Sequence, residues 1–107
     1  MLELTKDNFD AEVLAAGSGV VFVDFWSPKC EPCLALAPEL EEFAKKNAGR
    51  AKFCSIDTTT NKRLSIAQKV LGIPALAFYK DGEKVFVFNK DEIDVEAAQA
   101  KLDELLA

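Results

Sequence analysis

Two cysteines, Cys30 and Cys33, stand in the stretch Phe25-Trp26-Ser27-Pro28-Lys29-Cys30-Glu31-Pro32-Cys33, where an apolar run gives way to a short turn. Two intervening residues, bent into a helical turn, bring such a pair of sulfurs within bonding range. The ring so closed is small. In the chain-entropy view a loop of about four residues stabilises a fold by only roughly 2 kcal/mol, so the bond can open and close without large structural consequences. The thiolate is the reactive form, and a helix start favours it through unpaired N–H groups and the positive end of the macrodipole. The same spacing could serve as half of a metal site. Such sites usually take four sulfur or nitrogen ligands, however, and the chain has three cysteines and no histidine. The lack of histidine also removes Cys-His nucleophile pairs and imidazole acid–base chemistry, leaving cysteine, carboxylate and lysine.

A chain of 107 residues, 50% hydrophobic, suits one compact domain spanning 1–107. Cys30 and Cys33 are too close in sequence to staple distant parts, so the cysteines are not those of a small secreted scaffold. The start Met1-Leu2-Glu3-Leu4-Thr5-Lys6-Asp7 has acids where a signal peptide would have a basic segment, and no apolar run approaches the roughly 20 residues of a membrane span. A soluble cytoplasmic protein is the expectation. The net charge of −5 argues against a surface that tracks nucleic-acid phosphates.

The elements that must position the dithiol follow from the patterning. Residues 2–4 read as a short edge strand, and Thr5 as the cap of a helix running to about residue 14, ended by Gly17-Ser18-Gly19. Residues 20–25 are apolar on both faces, as in a central strand covered on each side, with Asp24 as a costly interruption. A helix from Pro32–Cys33 to about residue 47 buries Leu36, Leu40 and Phe43 and exposes Glu39, Glu41, Glu42, Lys45 and Lys46. Pro38 lies inside it and is expected to kink one helix rather than make two. Residues 51–56 read as a third strand. A polar loop then leads to a helix with Leu64, Ala67 and Leu71 on one face, closed by Gly72. Asp81-Gly82 between apolar runs marks an antiparallel hairpin, and Asp94 caps a last helix with Val95, Ala98, Leu102 and Leu105 inward. Helix-length crossovers after the first three strands imply parallel pairing, with the hairpin adding an antiparallel pair to give a mixed α/β sheet.

Asp24-Phe25-Trp26, Cys30-Glu31-Pro32-Cys33, Pro38, Gly72-Ile73-Pro74 and Lys80-Asp81-Gly82-Glu83 together resemble the thioredoxin family in order and approximate spacing, over essentially the whole chain. The resemblance implies the thioredoxin fold, a central mixed five-stranded sheet flanked by four helices, and a protein dithiol–disulfide oxidoreductase that reduces protein disulfides. It implies Cys30 as the exposed attacking thiol and Cys33 as the buried resolving thiol. Asp24 becomes the carboxylate beneath Cys33 that accepts its proton, although by residue type alone it is a strand-end aspartate bonded to backbone or solvent. Pro74 resembles the family's cis-proline facing the dithiol, leaving the Ile73 backbone to pair with an extended substrate. Trp26 and Pro28 line the approach to Cys30 in the family pattern, Trp26 being equally suited to the core, and Pro32 holds the turn at the helix start. With Lys29 and Glu31 beside the nucleophile, these make the expected substrate-binding set. Cys54 reads as a small core residue.

No cofactor is expected beyond the redox-active Cys30–Cys33 pair, since the chain has no nucleotide-binding fingerprint and no obvious flavin site. Electrons would come from a separate thioredoxin reductase. The partners implied are disulfide-containing proteins, with no nucleic acid and no membrane, and the chain is expected to act as a monomer. The same fold could also serve as a disulfide oxidant or isomerase, or as a redox-inactive binding module. The chain departs from the family pattern in having Glu31 for the usual glycine and Lys29 for the usual tryptophan, charges of opposite sign beside Cys30. Phe53 stands where a lysine commonly pairs with the buried aspartate, which should make Asp24 harder to ionise, and Asn89-Lys90 replaces a loop glycine.

Overall fold

A strand apolar on both faces is stable only where neighbours pair with both its edges and other elements cover both its faces. In the computed structural model, which describes residues 1–15 and 19–107, residues Val20–Trp26 form that strand, at the centre of a five-stranded sheet ordered β1-β3-β2-β4-β5. The strands are β1 (Leu2–Leu4), β2 (Val20–Trp26), β3 (Lys52–Asp57), β4 (Ala75–Lys80) and β5 (Glu83–Phe88). The longer helices are α1 (Glu31–Lys46) and α3 (Val95–Leu106), with the short α2 at Lys62–Ala67. A short helical segment, Asp10–Leu14, precedes β2, and one turn of 3-10 helix, Lys90–Glu92, precedes α3. β1 and β2 run parallel to β3, whereas β4 is antiparallel to β2, and β5 to β4.

Side chains alternate across β2 and so define two cores. Val21, Val23 and Phe25 join Cys54, Ile56, Ala77 and Tyr79 under Phe9 and Val13, with Leu64 packed against them. Val20 and Phe22 join Phe78 and Phe88 under Leu40 and Phe43 of α1 and Ala98 and Leu102 of α3. The second core is aromatic: Phe22 meets Phe43 and Phe78 edge-on, each with ring centroids 5.3 Å apart. Asp24 belongs to the face that α1 covers, because it shares parity with Phe22.

The expected elements are present with three corrections. β4 is antiparallel to β2, not parallel, although a helix precedes it. Asp57 at the end of β3 pairs with Trp26 and Ala75 at the start of β4 pairs with Phe25, so the chain re-enters the sheet at the end it left. α2 also stops at Ala67 rather than at Gly72. Lys69 adopts φ 64°, and the Lys69 and Val70 N–H groups donate to the Ile66 and Ser65 carbonyls at 2.8 and 2.9 Å, a complete Schellman closure built on lysine. The expected face of Leu64, Ala67 and Leu71 is thereby broken, leaving Leu71 89% exposed. Finally, the first helix is shorter than residues 5–14. Thr5 opens a turn, its Oγ1 accepting from the Asp7 N–H at 3.1 Å while Asn8 Oδ1 accepts from the Thr5 N–H at 2.7 Å, but it does not cap the helix, which covers only Asp10–Leu14 as a π-helical segment with Phe9 at its N-cap and no side-chain cap. Residues 16–18 lie outside the described residues, and with them most of the expected Gly17-Ser18-Gly19 stop. Pro38 does sit inside one continuous helix.

The hairpin turns on Asp81 (φ 55°) and Gly82 (φ 82°), the two positive angles of a type I′ turn. A Cβ on Gly82 would also collide with the Leu14 backbone carbonyl, so this glycine is needed for close approach as well as for its angle. Gly82→Ala should therefore destabilise the protein by on the order of 3 kcal/mol. Gly72→Ala, where an added Cβ meets nothing within 4 Å, should change stability by less than about 0.5 kcal/mol. Urea unfolding of the two variants checks both values.

Candidate active site

β2 ends at Trp26, and the chain leaves the sheet through a turn organised by the buried Ser27. The Ser27 carbonyl accepts from the Cys30 N–H at 3.1 Å, and its Oγ accepts from the Lys29 N–H at 3.0 Å. Cys30 is extended (φ −96°, ψ 104°) and is the N-cap of α1, its Sγ accepting from the Cys33 N–H at 3.2 Å. Glu31 and Pro32 are the first two helical residues, Pro32 supplying a helical φ where its missing N–H costs nothing. Cys30 and Cys33 form a disulfide with Cα atoms 5.2 Å apart. Cys30 is half-buried and Cys33 is only 4% exposed, while Pro28, Lys29, Glu31 and Pro32 all face solvent around them. Ser27 was not legible as an organiser of this turn, although a serine whose hydroxyl accepts from the amide two residues later is the signal of an ST turn.

Beneath Cys33 lies Asp24, 8% exposed, in a cavity of about 210 Å³ that Trp26, Cys33, Glu41 and Ser55 also line, with Met1, Leu34 and Ala37 completing its wall. Burial pushes the Asp24 carboxyl up to about 7, and the Glu41 carboxylate adds to the rise. Among the described residues no cation pairs with Asp24. Phe53, on the same sheet face, instead packs against Phe22 and Phe43 at 5.7 and 5.6 Å between centroids. Glu41 and Ser55 were not legible as neighbours of Asp24. Helical periodicity assigns Glu41 simply to the solvent face, and only the parallel register Asp24↔Ser55 brings Ser55 beside it.

The register Phe25↔Ala75 sets Ile73 and Pro74 at the sheet end where Trp26 leads into the cysteine turn, and the Ile73–Pro74 bond is cis. Ile73 is half-buried. The Trp26 carbonyl is held by Thr58, through its N–H at 2.9 Å and its Oγ1 at 3.1 Å. Cys54 lies on the opposite sheet face from α1, fully buried, its thiol pushed up to about 11 by burial, and belongs to the core. Asn89, where the family pattern has glycine, starts the Lys90–Glu92 turn with φ −85°, its N–H donating to Glu92 Oε1 at 3.2 Å. Among the described residues no group of three or more histidine, cysteine or acidic side chains could hold a metal ion, and no helix is long and apolar enough to cross a membrane.

A cysteine pair at a helix N-terminus, one member half-buried and the other buried above an elevated carboxyl, has the parts for disulfide exchange. Comparison with known proteins agrees. A family model described as Thioredoxin matches residues 1–104. The chain is 49% identical over 92 residues to a thioredoxin of Acetoanaerobium sticklandii, covering 86% of this chain and 87% of that one. It is 42% identical over 107 residues to a thioredoxin of Peptoclostridium acidaminophilum, covering 100% and 93%. Among solved structures, a mutant thioredoxin from Halobacterium salinarum superposes with a TM-score of 0.85 at 27% identity, covering 99% of this chain and 90% of that one. Fasciola hepatica thioredoxin superposes with a TM-score of 0.86 at 24% identity, covering 97% and 98%, a likeness of fold.

The raised Asp24 carboxyl has a stability consequence. Below about pH 4 the folded and unfolded chains both carry its proton. Between about 4 and 7 only the folded chain does, so stability falls as pH rises through this window and levels off above it. Asp24→Asn should remove this component, gaining on the order of 4 kcal/mol over the wild-type oxidised protein at pH 8 and almost none at pH 3.5. Glu41→Gln should move the Asp24 midpoint downward. Unfolding at a series of pH values and carboxyl NMR titration measure the two effects.

Proposed function

The chain belongs to the thioredoxin family and is a protein thiol–disulfide oxidoreductase, and on that premise we propose that Cys30 is its attacking thiol, Cys33 its resolving thiol and Asp24 the acceptor of the Cys33 proton. The observation that carries this reading is an asymmetry: Cys30 is accessible at the helix cap, whereas Cys33 is buried and shares a cavity with Asp24.

In the reductive direction the Cys30 thiolate attacks one sulfur of a substrate disulfide. A Cys30–substrate S–S bond forms as the substrate's own bond breaks, and the departing sulfur leaves as a thiolate that takes up a proton. Cys33 then gives its proton to the Asp24 carboxylate and attacks Cys30 Sγ. The Cys30–Cys33 bond forms, the mixed disulfide breaks, and the second substrate thiolate leaves and is protonated. The substrate gains two electrons and two protons, and the protein ends as the disulfide. The Cys33 N–H, already donating to Cys30 Sγ, suits a thiolate there. A carboxyl titrating near neutrality is matched both to accept a proton and to return it.

The cysteine pair itself stores the two electrons, so the reading needs no further cofactor and takes its electrons from a separate thioredoxin reductase. Substrate proteins approach over Trp26, Pro28, Lys29, Glu31 and Pro32 and pair with the backbone at Ile73 beside Pro74. Exposure of the turn residues supports that approach. The chain acts as one domain over 1–107, a cytoplasmic monomer.

Insulin reduction driven by dithiothreitol tests the roles. Cys30→Ser should fall to the uncatalysed rate, and activity surviving in it would refute the nucleophile. Cys33→Ser should stall as a mixed disulfide on Cys30, visible by non-reducing electrophoresis and intact-mass spectrometry. Asp24→Asn should lose the inflection near pH 7 in the rate of mixed-disulfide resolution, while an unchanged profile would remove its proton role.

A further inference from the structure

Asp24 is only 8% exposed, so a proton that it takes from Cys33 needs a way out before the site can work again. Helical spacing supplies one. Cys33, Ala37 and Glu41 stand at i, i+4 and i+8 on α1 and share one face of it, the first and last about 12 Å apart along the axis. All three line the cavity that holds Asp24. Ala37, the small middle member, leaves space between the buried thiol and the exposed Glu41 carboxylate. The opposite wall is β3, where register puts Ser55 beside Asp24. Asp24, Ser55 and Glu41 are thus the oxygen-bearing side chains of the cavity, with Met1 and Leu34 apolar on its wall. At about 210 Å³ it has room for water, which takes on the order of 15 Å³ and two or more polar partners. Glu41 is also the charged group that acts on Asp24. Lys45 continues the α1 stripe but makes no ion pair with Glu41 among the described residues. By register Glu3 of β1 and Asp57 of β3 share the sheet face of Asp24, and β4 sets Leu76 beside it, but none of these lines the cavity, nor do Lys29 and Glu31 of the cysteine turn.

We propose that Glu41 is the outlet through which Asp24 exchanges its proton with solvent, across water held in the cavity between them. The proposal rests on the reading of Asp24 as acceptor of the Cys33 proton. After resolution the neutral Asp24 carboxyl passes its proton to the Glu41 carboxylate, leaving Asp24 ionised and Glu41 neutral. Glu41 then gives the proton to solvent water as hydronium, and both carboxylates are restored. No electrons move in these two transfers. When the disulfide is reduced the path runs inward: solvent protonates Glu41, Glu41 protonates Asp24, and Asp24 protonates the Cys33 thiolate. Glu41 acts through Asp24 and not on the sulfurs.

The test uses oxidised full-length protein, in which the cysteine pair does not titrate. Carboxyl ¹³C relaxation dispersion through the Asp24 titration gives both its midpoint and its protonation rate constant. Glu41→Gln should lower the midpoint and slow protonation about tenfold. Ala37→Leu, which fills the passage and leaves every charge in place, should slow protonation comparably without lowering the midpoint. Ala35→Leu, at an exposed position of α1, should do neither. Added imidazole, a small proton carrier, should restore the rate in Glu41→Gln but not in Ala37→Leu. A lowered midpoint with an unchanged protonation rate constant in Glu41→Gln would reduce Glu41 to a charge and overturn the outlet, and so would an unchanged rate constant in Ala37→Leu. Either result leaves the dithiol reading standing. That reading is checked separately by the rate of mixed-disulfide resolution in the wild type. A profile with no inflection near pH 7 would overturn the proton role of Asp24 and the proposal with it.

Discussion

β2 is covered on both faces and paired on both edges, and most of the structure follows from that constraint. Val21, Val23 and Phe25 require cover from the Asp10–Leu14 segment and α2, while Val20 and Phe22 require α1 and α3. β3 and β4 must then take its two edges. The one polar residue in the strand, Asp24, is carried into the interior with its neighbours, because a two-residue period leaves it no other place. The cysteine turn is simply where this strand emerges, at the first position from which the chain can begin the helix that covers the face bearing Asp24.

The electrostatics of the site derive from the same geometry. α1 must start above Asp24 to bury Leu40 and Phe43 over Phe22, which puts the buried Cys33 beside the carboxyl and Cys30 at the cap. A lysine at position 53 would compensate the buried charge. Phe53 extends the aromatic core with Phe22 and Phe43 instead, so desolvation of Asp24 meets no opposing cation and Glu41 adds to it. The chain thus gains packing and accepts a carboxyl that titrates near neutrality. The lysine and glutamate that flank Cys30 are exposed, where screening damps their opposed fields.

The second half of the chain illustrates what a short element can change. α2 was legible as a helix but not in its length, because Leu64, Ala67 and Leu71 fit helical spacing and nothing in their types forbids continuation. The left-handed Lys69 ends it, at a residue type with no preference for that conformation, and tertiary packing of Val70 under the sheet outweighs the local cost. The chain returns to the sheet at the end where β3 left it, and β4 runs antiparallel. The early end of α2 turns Leu71 outward. One local event thus decides the character of an exposed surface.

By itself the sequence determined the elements and the reactive pair. The Cys30-Glu31-Pro32-Cys33 spacing, the apolar run of β2, the Asp81-Gly82 turn and the stripes of α1 and α3 are local patterns, and each specifies geometry over a few residues. Asp24 was legible as out of place, since a carboxylate in an apolar strand is costly wherever the chain goes. Only the tertiary structure decided which face of the sheet α1 covers, and hence that Cys33, Asp24, Glu41 and Ser55 share one cavity. It likewise decided the direction of β4 and the exposure of Leu71. These depend on strand register and on how far a helix travels before it turns, and such long-range distances are written in no single stretch of residues.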